Sequence, residues 1–141
     1  MRRLVVLGLS LLATAALAEP VRTIKIDPEP VPCDGQNHES KVLNPVSGPI
    51  YVKQVHLWQR ASKPARGFAD VIREGVGPRQ IVLFGRWLHP TVDTPVTVSF
   101  APDAVTVDAG ESLVLLQGCR RTGEDPGVVQ SVAMIWYTEA P

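Results

Sequence analysis

Past its N-terminus this sequence has no long apolar run, so no later segment offers the ~20 residues a membrane-crossing helix needs. It has no C-x-x-C, which removes the paired-cysteine geometry of structural zinc sites. G-x-S-x-G, H-E-x-x-H, the P-loop and G-x-G-x-x-G are all missing, and with them the common signatures of hydrolases, zinc peptidases and nucleotide binders. Excess charge of either sign is missing too: 14 Lys and Arg stand against 14 Asp and Glu, scattered along the chain. A nucleic-acid partner would want a basic stripe, and none is present. Aromatic residues make up only 6% of the chain, so each Trp and Tyr has to be placed with care.

What is present begins with "MRRLVVLGLSLLATAALAEP". Arg2 and Arg3, the uncharged stretch Leu4 to Ala18 and the small residues Ala16 and Ala18 have the pattern of a secretory signal peptide, residues 1–18, cut after Ala18. The mature chain is then 19–141, expected to be one domain that does not insert into a membrane and resides in the periplasm or outside the cell. Cys33 and Cys119 are its two cysteines, and in an exported protein they read as a disulfide.

Proline and glycine divide the rest into short, β-branched runs. "VRTIKI" alternates, "QIVLFGRWL" is nearly continuous, and "PVTVSF" places Val96, Val98 and Phe100 on one face. In "PIYVKQVHLWQR" the apolar set changes phase: Ile50 and Val52 share one parity, Val55 and Leu57 the other, as at a β-bulge. "AVTV", "LVLLQGC" and "VVQSVAMIWYT" complete the set, with turn chemistry between them in "NPVSGP", "GVGPRQ", "DAGE" and "RTGEDPG". Residues 68–74 have spacings that suit a helix or an edge strand, and short flanking connections favour the strand. The fold class that follows is all-β: an antiparallel sandwich or jelly roll held by one disulfide. "VPCDGQNHES" (Val31 to Ser40) reads as a polar loop beside that disulfide.

Two clusters of side chains are candidates for chemistry. "HLW" (56–58) and "WLH" (87–89) mirror each other, and pairing of the two strands in one register would set His56 against His89 and Trp58 against Trp87. Trp58 and Trp87, with His56 and Arg86 beside them, would then form a stacking surface for a sugar ring or a protein partner. Trp136, inside "AMIWY", is expected in the core. The second cluster joins His38 to His56 and His89 as an open three-histidine metal site. Catalytic residues cannot be nominated, and no cofactor is implied. The expected function is therefore a non-catalytic binding module of the cell envelope, taking a glycan or an envelope protein. A small metal-dependent enzyme or metal carrier and a structural assembly subunit are the alternatives.

Overall fold

The computed structural model describes residues 19–87, 95–121 and 123–141. The expected signal segment 1–18 and His89 lie outside them. Ten strands follow in order: β1 (Arg22–Ile26), β2 (Val31–Pro32), β3 (Asp34–Leu43), β4 (Ile50–Ala61), β5 (Arg66–Glu74), β6 (Gln80–Trp87), β7 (Val96–Ser99), β8 (Thr106–Val107), β9 (Ser112–Arg120) and β10 (Val128–Glu139). One sheet runs β1-β10-β4-β7, with β2 added to β10 and β8 to β4; the other runs β3-β9-β5-β6. Every pairing is antiparallel. The chain passes repeatedly from one sheet to the other, in the manner of a jelly roll, and the two sheets close on each other as a β-sandwich.

Alternation explains which residues meet in the middle. Ile24, Ile26, Val55, Leu57, Ala133 and Ile135 of the first sheet face Ala69, Val71, Leu113 and Leu115 of the second. Together these residues form one core, because side chains along a strand alternate between its two faces. The phase change in β4 is a bulge. Trp136 lies opposite Gln54 and Tyr137 opposite Val52, so Lys53 is the extra residue. Ile50 and Val52 thus point inward on one side of the bulge, and Val55 and Leu57 on the other.

Residues 68–74 belong to β5, a strand as expected but an interior one between β9 and β6 rather than an edge. Both faces of β5 are covered: Ala69 and Val71 look inward, while Asp70 and Ile72 on the other side are also buried. A strand buried on both faces loses its alternation, which is why its apolar residues also fitted helical spacing. The stretch expected as a polar loop is instead the whole of β2, Cys33 and most of β3. Its polar side chains are accounted for by an edge strand. β3 pairs only with β9, and a bulge between Asp34 and Asn37 accommodates Gly35 in a left-handed conformation, φ 84°.

Cys33 and Cys119 form the expected disulfide, with Cα atoms 4.6 Å apart. They sit in a second buried cluster with Ala61, Ala65 and Val129. Next to it in β4, the fully buried Gln59 spans the two sheets. Its amide donates to the carbonyl of Phe68 in β5 (2.8 Å) and to the Ser131 hydroxyl in β10 (3.0 Å).

Candidate functional site

The outer face of the first sheet gathers the aromatic residues that have polar edges. After the bulge, Gln54, His56, Trp58 and Arg60 share the outward parity of β4. On one side, Trp136, Met134, Val132 and Gln130 of β10 oppose them in turn; on the other, Ser99 and Thr97 of β7 oppose Gln54 and His56. Thr23 and Lys25 of β1 extend the rows beyond Trp136 and Met134. The surface therefore has an aromatic centre and a polar rim.

Its geometry is set by edge-to-face contacts. The His56 ring lies 5.4 Å from that of Trp58 at 66°, and 6.4 Å from that of Trp136 at 87°. Such tilts suit the aromatic quadrupole, whose positive edge meets a negative face. Thr97 Oγ1 lies 2.8 Å from His56 Nδ1 and fixes the imidazole between the two indoles. Gln54 donates to the Ser99 hydroxyl at 3.4 Å. At the other end Gln130 donates to Asp27 at 3.2 Å, and Lys25 pairs with the same carboxylate at 3.1 Å. Trp58, His56 and Trp136 are all half-buried, while Val132 between the rows is buried. Four residues of strand separate the rung of Trp58 from that of Trp136, or roughly 13 Å along the sheet.

The mirror pairing of "HLW" with "WLH" does not occur. β4 and β6 belong to different sheets, and His56 faces Met134 and Thr97. Trp87 is 8% exposed and points into the core. Its indole lies over Gly85, where a β-carbon would overlap the ring. Trp87 therefore offers no stacking surface. Arg86 projects from the opposite outer face, on β6, and pairs with Asp70 at 2.6 Å. Of the four residues expected to bind ligand, Trp58 and His56 stand together, and Trp136 takes the place assigned to Trp87. Ala133, Ile135 and Tyr137 fill the inward positions of β10 and leave Trp136 outside, a choice that parity in the sequence left open.

The metal cluster is not assembled among the described residues. His38 is on β3 of the second sheet, 3.9 Å from Asp34, whereas His56 is on the outer face of the first. No group of three His, Cys, Asp or Glu side chains among the described residues is arranged to hold a cation.

The second sheet has its own charged surface. Arg79 contacts Glu39 at 2.5 and 3.1 Å and Glu74 at 3.1 Å, and Lys41 pairs with Glu74 at 2.6 Å. The Arg79 guanidinium holds the Glu39 carboxyl below its usual range. Lys41 first, and Arg79 after it, do the same for Glu74. Arg79 is raised in turn by the two carboxylates.

No family of known proteins matches the chain. No curated protein matches it. Among solved structures it is similar to a chain in the cryo-EM structure of a virus-like particle of the giant freshwater prawn Macrobrachium rosenbergii extra small virus. That likeness has 11% sequence identity and a TM-score of 0.40, and it covers 100% of this chain and 93% of the other.

Proposed function

We propose that this protein is a non-catalytic binding module of the cell envelope that takes a glycan chain across the outer face of its first sheet. The observation that carries the reading is the Trp58–His56–Trp136 row, half-open to solvent and bordered by Gln54, Thr97, Ser99, Arg60 and Lys25. A pyranose presents an apolar CH face and a ring of hydroxyls. Indole faces suit the first, and amide, hydroxyl and guanidinium groups suit the second. Two indoles on either side of the His56 ring, 5.4 and 6.4 Å from it, fit an extended oligomer better than a single ring. The Cys33–Cys119 disulfide points to an oxidising, non-cytoplasmic compartment. Export through residues 1–18 would deliver the chain there.

A glycan array followed by pull-down on insoluble polysaccharide tests the reading. Trp58→Ala and Trp136→Ala are each expected to weaken binding about tenfold or more, roughly 1.4 kcal/mol, while leaving a folded domain by circular dichroism. Trp87→Ala should instead lower the unfolding midpoint, because it opens a core cavity. Binding that survives loss of both outer indoles, or an array without a hit, would exclude the platform.

A further inference from the structure

The far side of the molecule carries a second cluster that the aromatic face does not explain. Arg66 of β5 and Arg120 of β9 lie directly opposite each other in the ladder, both exposed. Like charges on opposing strand positions repel. Neither guanidinium makes an ion pair among the described residues. One rung along the same outer face, Phe68 lies opposite Arg86, whose guanidinium sits 5.2 Å from the Phe68 ring centroid.

A cleft of about 370 Å³ runs between these side chains, lined by Gly35, Arg66, Gly67, Phe68, Arg86 and Arg120, with Cys119 at its wall. Two carboxylates stand near it. Asp34, opposite Arg120, accepts the Gln36 amide at 3.0 Å and lies 3.9 Å from His38. Asp70, nearly buried, is committed to Arg86. Three guanidinium groups against the carboxylates of Asp34 and Asp70 leave a net charge of one positive unit around the cleft, and Arg66 and Arg120 are the two guanidinium groups there without an ion pair among the described residues. Gly35 adopts its left-handed turn at the mouth with open space where a side chain would stand.

We infer that this cleft is a binding site for a phosphate dianion, held by Arg66 and Arg120 with Arg86 behind them. Guanidinium groups bind phosphate through paired, charge-assisted N–H···O bonds, and their planar fork suits tetrahedral oxygens. A phosphate monoester carries close to two negative charges at neutral pH, one for each of the two guanidinium groups that lack an ion pair. A carboxylate or a sulfate ester brings one. The anion would also relieve the repulsion between the opposed arginines. Phe68 gives the cleft an apolar wall against which the organic part of a phosphate ester can rest. The site lies on the opposite outer face from the aromatic row, so it stands whether or not that row binds glycans.

Titration of the folded, oxidised protein with inorganic phosphate, followed by amide NMR at constant ionic strength, tests the assignment. Saturable shifts are expected at Arg66, Phe68, Gly118 and Arg120, with the monoanions methyl sulfate and acetate at least tenfold weaker. Arg66→Gln and Arg120→Gln should each weaken phosphate at least tenfold. The double variant should unfold no sooner than the native chain in phosphate-free buffer, since it removes a repulsion. Equal affinity for methyl sulfate would mean that a single negative charge suffices and would overturn the dianion assignment. Shifts no larger than those from chloride, or phosphate binding unchanged in the double variant, would overturn the site. Trp58→Ala should leave every one of these readings unmoved, and loss of phosphate binding in that variant would contradict the placement on the opposite face.

Discussion

Gln59 shows what one polar residue does between two sheets. Its side chain is fully buried, and its amide joins β4 to the Phe68 carbonyl of the facing sheet and to Ser131 of its own. Replacing it strands those acceptors in a dry interior, which costs about 1–3 kcal/mol beyond the lost volume. Gln59→Ala is expected to lower urea-unfolding stability by at least that amount, with Gln59→Glu worse because it buries a charge. In the sequence Gln59 shares the parity of Val55 and Leu57, which puts it on the core face, but nothing marks the partners it finds there. Trp87 and Trp136 exchanged their expected places for a related reason. Period two says which residues share a face and leaves open which face is inside. In β10, Val132, Met134 and Trp136 are as apolar as Ala133, Ile135 and Tyr137, so composition could not choose between them. In β6 the clue was Arg86: it needs solvent, and its parity partner Phe84 is accordingly exposed while Trp87 turns inward.

At the scale of elements, the strand punctuation, the bulge in β4 and the strand over residues 68–74 were readable, because turn chemistry and phase are local properties. Pairing was not. The "HLW" and "WLH" mirror concerned strands that the jelly-roll connection sends to opposite sheets, a matter of long-range closure that no tripeptide encodes. β3 was missed because an edge strand of polar residues looks like a loop. Its attachment is partly ionic, since Glu39 and Lys41 of β3 tie through Arg79 and Glu74 to the β5–β6 hairpin. The carboxyls of Glu39 and Glu74 are held low in the folded state, so this linkage contributes fully above their ordinary value of 4.5 and is lost as pH falls through their lowered values. Urea midpoints should therefore drop on acidification below 4.5. Arg79→Gln should reduce that drop and lower stability at neutral pH, and high salt should mute both effects.

For the whole molecule the decisive bond is Cys33–Cys119, which closes a separation of 86 residues. In the chain-entropy view such a loop is worth roughly 4–5 kcal/mol, a large part of the ~5–15 kcal/mol that holds a domain together. Cys33→Ser combined with Cys119→Ser is expected to lose about that much in urea unfolding, and the untreated protein should show no free thiol when denatured without reductant. The position of the bond matters as much as its strength. Cys33 stands where the chain leaves the first sheet for the second, and Cys119 lies near the end of β9, the strand before β10. Tension applied through residues 19 and 141 would enter at β1 and β10, peel the outer part of the first sheet and then meet the sulfur bridge. The segment between the cysteines lies outside the line of force, including the second sheet and β4 with Trp58. An oxidised molecule pulled by its ends would yield a short, abrupt extension and stop, a mechanical fuse with most of its body sealed behind one bond.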